Sequence, residues 1–251
     1  MRCAISQPTF LPWMGWFDIA SQSDLLIALD TVQFDKRSWQ QRNRIRTAQG
    51  LQFVTVPVYS SGRYTQTILD VEIAEANFAD RLLKTLALTY GRAPFYQDVI
   101  DDVKSALLYS RTSNPHLIDL NLALINVLTT WLDIKTKIIR ASDLSSEGGK
   151  SAYLAKLCSE VGADEYISTS GALNYLKNEL HCFDEHKISV YIHTYEHPEY
   201  KQLYKPFMPF ASSLDLVMMH GRESGDILRK AKREIYCLSS DLPVVNQQTE
   251  R

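Results

Sequence analysis

The chain has 251 residues, of which 45% are apolar and 22% charged, and its formal net charge is −2. That composition excludes a disordered or fibrous protein and supplies a core for one large domain. The near-neutral balance gives no global field, so neither nucleic acid nor an anionic membrane is expected as a partner. No run of about 18 apolar residues occurs, so no membrane span is expected.

The start, MRCAISQPTF, reaches Gln7 and Pro8 before an apolar leader segment can form, so a cytoplasmic protein is expected. Cys3, Cys158, Cys182 and Cys237 lie far apart and read as reduced thiols. Cys182 with His181 and His186 is a loose cluster without a second pair at metal spacing, so no metal is expected.

Taken in chain order, residues 3–6 read as a buried strand that Pro8 stops. Residues 9–16 form a loop and 16–23 a short helix. Residues 24–29 (DLLIAL) are a second buried strand closing at Asp30. Strand, helix, strand in this spacing begins a parallel α/β sheet. Residues 30–49 read as a long polar and aromatic loop. Residues 53–58 and 68–73 alternate like strands about a turn at 60–63. Asn77 caps a helix to Tyr90, Pro94–Leu108 is a second, and Ser113-Asn114-Pro115 opens a third to Leu132. Residues 77–132 are therefore a helical insertion. Next come a strand at 135–140, a helix at 148–161, a strand at 165–168 and a strand at 189–194. Closing helices are predicted at 214–219 and 224–234, and 239–251 as a flexible tail. The sum is a single α/β domain over 1–251, with an open, mostly parallel sheet of the nucleotide-binding kind.

In such sheets ligands bind beyond the carboxyl ends of the strands. Gln7, then Asp30 with Gln33, then Ser168, Ser170 and Gly171, then His193, Tyr195, His197 and Tyr200 follow strand ends. From Asp30 to Arg46 the basic residues Lys36, Arg37, Arg42, Arg44 and Arg46 interleave with Phe34 and Trp39. Arginine forks onto phosphate or carboxylate, and Trp39 stacks a ring, so the segment suits an anionic ligand with a flat face. The competing reading is a solvated basic loop anchored by Trp39. Ser168–Gly171 reads either as an anion nest or as an ordinary βα turn. His193, Tyr195 and His197 share one strand face, with His197 the preferred general base. Asp18 and Asp30 are the carboxylates nearest the predicted cleft.

The strings Ile5–Phe17 (ISQPTFLPWMGWF), Leu29–Phe34 (LDTVQF) and Trp39–Ile45 (WQQRNRI) together resemble the WbqC-like family. So do Tyr166–Leu176 (YISTSGALNYL), with Tyr175, and His197–Tyr200 (HPEY). Ser170-Gly171 stands where a Gly-Pro pair is associated with the family's late turn. The resemblance implies surface polysaccharide biosynthesis, including O-antigen loci, and an enzyme acting on a nucleotide-linked amino-deoxy sugar. The implied reaction is N-acylation or aminoacylation, for example with glycyl, from an activated acyl donor. In that reaction His193 or His197 takes the amine proton, with Lys36, Arg42 and Arg44 on a diphosphate and Trp39 on a ring. Asn43 or Gln7 serves as oxyanion donor, and Trp13 covers the cleft. The alternatives are nucleotidyl transfer and a non-enzymatic sugar- or nucleotide-binding protein. Against nucleotidyl transfer, Trp13-Met14-Gly15-Trp16 stands where a His-x-Gly-His loop would. The apolar helix around Trp131 is a candidate homodimer face or a core element.

Overall fold

The computed structural model describes residues 1–75, 77–108 and 115–239. The chain opens with β1 (Arg2–Ser6), α1 (Met14–Ser21) and β2 (Leu25–Ala28), then a hairpin of β3 (Arg42–Thr47) and β4 (Gly50–Thr55). Three helices follow: α2 (Phe78–Tyr90), α3 (Tyr96–Leu107) and α4 (Leu117–Trp131). The chain continues with β5 (Lys137–Arg140), α5 (Lys150–Glu160), β6 (Glu165–Thr169), α6 (Leu173–Asn178), α7 (His181–Asp184) and β7 (Ser189–Tyr195). It closes with α8 (Ser213–His220), α9 (Ser224–Arg229) and β8 (Arg233–Cys237).

Six strands form one sheet in the order β5-β2-β1-β6-β7-β8. The first five are parallel and β8 runs antiparallel to β7. This is the open, largely parallel α/β sheet expected from the strand–helix–strand opening. Successive side chains point to opposite faces. Ala4, Leu26 and Ile167 accordingly join the core beneath α1–α4, α8 and α9. Cys3, Leu25, Ile27, Tyr166, Val190 and Ile192 join the core beneath α5–α7. All four residues of β2 are buried, and each large aliphatic among them contributes about 1.5–3 kcal/mol by leaving water.

The chain leaves β1 through α1 on one face and enters β6 through α5 on the other, yet β1 and β6 are neighbours. Their carboxyl ends flank a topological switch point, where a crevice opens in sheets of this type. The helical segment pins the loops above that point. Buried Asn121 of α4 donates from Nδ2 to Pro8 O (3.0 Å) and Gln40 O (2.8 Å). Trp131 is buried in the chain, with Nε1 donating to Asp102 Oδ2 at 2.8 Å. Among the described residues no helix is long and apolar enough to cross a membrane, and all four cysteines are free.

Four local expectations are corrected. Residues 42–47 are a strand, not loop: β3 pairs with β4, and Val56 N–H extends the pairing to Gln41 O. Residues 68–73 form no strand, because Ile68, Val71 and Ile73 are buried at turn spacing. Asp70 Oδ2 there accepts from Thr67 N–H (3.1 Å) and Oγ1–H (2.6 Å). The helix predicted over 224–234 stops at Arg229, and β8 begins at Arg233 because β7 offers it an open edge. Asn77 makes no side-chain cap on α2. Ser113, Asn114 and the tail from 240 lie outside the described residues.

Candidate functional site

Pro8 has no N–H for the ladder, so β1 gives way to a loop that three contacts fix in place. Phe10 N–H donates to Trp39 O at 3.0 Å and Ser213 N–H to Pro12 O at 2.8 Å. Asn43 Nδ2 donates to Phe10 O (3.1 Å) and Leu11 O (2.8 Å). Trp13 then folds back over the first turn of α1, where Gly15 leaves room for its indole. The result is a cavity of about 300 Å³, at the small end for ligand pockets. Trp13, Trp16, Trp39 and Phe210 form its aromatic walls, and Thr9, Asn43 and Arg44 its polar edge.

The basic residues stand at the rim on the hairpin. Arg42 and Arg44 are two apart on β3 and so share a face. Arg42 lies over the Phe53 ring (4.3 Å) and Arg44 over Trp39 (5.3 Å), while Phe53 and Trp39 pack at 5.8 Å. Six of the twelve described arginines are ion-paired: Arg2, Arg63, Arg81, Arg140, Arg229 and Arg233. Among the described residues Arg42 and Arg44 have no carboxylate partner. Partial burial lowers the Arg44 pKa, and its Nε is buried without a hydrogen-bond partner. Stacked, unpaired guanidinium groups are suited to an anion.

Gln7 is oriented by its neighbours. Asp35 N–H needs an acceptor and finds Gln40 Oε1 at 2.9 Å. That turns Gln40 Nε2 toward Gln7 Oε1, also at 2.9 Å. The exposed Gln7 amide therefore presents its NH2 end outward at the carboxyl end of β1. Asn43 differs: Phe10 O and Leu11 O take its donors, and its Oδ1 accepts from Arg44 N–H at 2.8 Å.

The end of β7 carries three rings in a row. His193 and Tyr195 centroids are 6.4 Å apart, and Tyr195 and His197 6.1 Å. His193 is buried and donates from Nε2 to Asp18 Oδ2 at 2.7 Å, and Arg233 forks onto the same carboxylate at 2.8 and 3.0 Å. Asp18 is completely buried, so this triad ties α1 to β7 and β8. His197 lies beyond the strand, behind Trp13 (6.3 Å) and Phe210 (5.5 Å) and beside Tyr200 and Phe207. Desolvation lowers its pKa, opposed by the hydrogen bond to Pro198 O at 3.0 Å. Because Nδ1–H makes that bond, Nε2 carries the lone pair. Burial, then the charge of Asp18, pushes the Tyr195 hydroxyl up. Tyr200 donates to Asp215 Oδ2 at 2.8 Å, and burial holds that carboxyl above the usual range.

The other predicted residues lie apart from this pocket. Buried Asp30 accepts from Ser142 N–H (3.0 Å) and Oγ–H (2.7 Å), clamping the end of β2 to the segment after β5. Gln33 is exposed and donates to Tyr64 O at 2.8 Å. Lys36 is exposed. Ser168 is buried and accepts from Tyr166 O–H at 3.2 Å. Ser170 and Gly171 form an exposed 3₁₀ turn, with Tyr175 half exposed on α6. None of that segment lines the aromatic cavity. Sequence reasoning did not single out Thr9, Trp16, Phe210, Gln40, Asn121 or Arg233. Thr9 and Trp16 lie inside the N-terminal string and could have been found there. Phe210 sits in an irregular segment with no pattern to mark it. Among the described residues no group of three or more His, Cys, Asp or Glu gathers as a metal set.

Comparisons with known proteins agree on kinship. The chain is 35% identical over 233 residues to a Mycobacterium tuberculosis protein described as "Uncharacterized protein Rv1507c", covering 92% of this chain and 99% of that one. No solved structure matches the chain. The model of the WbqC-like protein family matches residues 7–227, which include every lining residue of the aromatic cavity and all three rings at the end of β7, and the chain belongs to that family.

Proposed function

We propose that this chain is a transferase of bacterial surface polysaccharide biosynthesis, including O-antigen, that N-acylates or aminoacylates a nucleotide-linked amino-deoxy sugar. The observation that carries the reading is His197, a half-buried imidazole whose buried Nε2 is free, set behind an aromatic pocket edged by Arg44, with Arg42 next to it on β3 and neither arginine paired to a carboxylate. A nucleotide sugar offers a flat ring and a diphosphate, which match Trp39 with Trp13 and Arg42 with Arg44. The sugar amine attacks the carbonyl of an activated acyl donor, so an N–C bond forms and the carbonyl loses its leaving group with the bonding pair. His197 Nε2 takes the proton from the amine and returns it to the leaving group. The outward amide of Gln7 is the oxyanion donor in this reading, since the donors of Asn43 are committed to the loop. Asp18 and His193 hold α1 against β7 and act as positioning residues.

Purified protein incubated with nucleotide-linked amino sugars and a panel of acyl and aminoacyl donors tests this by mass spectrometry. A mass gain on the sugar, lost in His197→Ala, is expected. Binding of the sugar without turnover across the panel would favour a binding protein instead.

A further inference from the structure

Two buried polar atoms beside the pocket have no hydrogen-bond partner: His197 Nε2 and Tyr195 Oη. A buried polar group left without a partner is costly, so two on adjoining rings call for a reason. They are complementary. Nε2 holds a lone pair, because Nδ1–H is committed to Pro198 O. The Tyr195 hydroxyl has a hydrogen to give. A group that both donates and accepts, such as a hydroxyl or a neutral amine, satisfies both.

Two rings stand between these atoms and the cavity. Trp13 is held by the loop contacts around it and by the space over Gly15. Phe210 is held less firmly. The residue is 46% exposed, and its ring meets Trp13 and His197, each at 5.5 Å. Its backbone is left-handed (φ 66°), a conformation unfavourable for a bulky L-residue. It lies in the irregular stretch between β7 and α8. Its carbonyl is held by Arg44 Nη2 at 3.3 Å, a long bond, while Arg44 Nε has no partner. An anion at Arg44 would satisfy Nε and draw the guanidinium off the Phe210 carbonyl.

We propose that His197 Nε2 and Tyr195 Oη form an inner subsite for a hydroxyl or neutral amine, covered by Phe210 and uncovered when an anion engages Arg44. The choice of amine rests on the transferase reading; the subsite and its cover rest on the geometry alone. The anion arm and the inner arm then belong to one ligand, with its phosphate on the hairpin and its amine or hydroxyl passing Phe210. Uncovering also gives Phe210 a route out of its left-handed conformation.

Modification of histidines by diethyl pyrocarbonate, followed site by site with mass spectrometry, tests this without any substrate. His197 should react at least about ten-fold more slowly than exposed His181 in the unliganded protein. Inorganic pyrophosphate should raise the His197 rate. Phe210→Ala should raise it without pyrophosphate, and Arg44→Gln should abolish the pyrophosphate response. Buried His193 should stay protected throughout, which separates uncovering from unfolding. Phe210→Leu, which keeps most of the apolar contact, should lie between wild type and Phe210→Ala. Fast reaction of His197 in the wild type, or its continued protection in Phe210→Ala, would overturn the cover. A pyrophosphate response that is absent in wild type would overturn the coupling to Arg44. If these results come out as expected and acyl transfer is not found, the subsite stands and the transferase reading falls.

Discussion

Gly15 and Trp13 are in direct competition for space: a Cβ on Gly15 would lie only 2.3 Å from the nearest carbon of the Trp13 indole. The aromatic wall of the pocket therefore depends on a glycine two residues away in the first turn of α1. Gly15→Ala should push the indole out of place at about 1–3 kcal/mol, the usual cost of overpacking. Chemical denaturation gives the stability change. Intrinsic tryptophan fluorescence should shift with it, and an unchanged spectrum would show that the indole does not rest there.

Asp18 is the hub between α1, β7 and β8. Removing its carboxylate leaves His193 and the forked guanidinium of Arg233 facing each other without the anion. Asp18→Ala should cost about 3–5 kcal/mol, as breaking one side of a buried charge network does. Urea titration measures it. Asp18→Asn should lose less, because one hydrogen-bond acceptor remains.

Asn43 works as a peptide-like clamp on the loop after β1. Asn43→Asp turns two donors into acceptors facing Phe10 O and Leu11 O. A loss of stability of about 1–3 kcal/mol or more is expected. Asn43→Ala should be the milder change in the same urea titration.

The sheet was legible because its strands carry their own signal. DLLIAL is a short apolar run bounded by polar residues, KTKIIR carries the β-branched pair Ile138-Ile139, and their order along the chain implied parallel pairing. The hairpin was not, because β3 reads RNRIRT. Its inward positions include Asn43 and Arg46, whose polar groups are satisfied by distant carbonyls at Phe10, Leu11 and Pro206. No local pattern announces such partners. β8 failed for a related reason: REIYC becomes a strand only when β7 lies beside it. The pocket was half legible. Trp13, Trp39 and Arg44 stood out by type and spacing, whereas Phe210 comes from a segment more than 160 residues along the chain from Arg44 and meets it only through the fold. Gln40 and Asn121 act purely through such long-range contacts.

Stability should depend on pH through His197. Burial lowers its pKa below the ordinary 6.5, so the folded state binds this proton less readily than the unfolded chain. Below pH 6.5 the unfolded state gains a proton that the folded state refuses. The stability contributed by this group is therefore full above 6.5, falls as pH drops through that value, and levels off once the folded pKa is passed. His197→Leu should flatten this part of the profile. Urea titrations of both proteins between about pH 5 and about pH 8 check it; parallel profiles would contradict it.

The central claim is that the aromatic–arginine pocket holds a nucleotide-linked amino sugar. Titration calorimetry with a panel of such sugars, on the wild type and on Trp39→Ala and Arg44→Ala, tests it most directly. Binding by the wild type is predicted, weakened about ten-fold by Trp39→Ala through the lost stacking face. Arg44→Ala should weaken it by about ten- to a hundred-fold through the lost charge. Binding that both variants keep unchanged, or no heat from any sugar in the panel, would contradict the account.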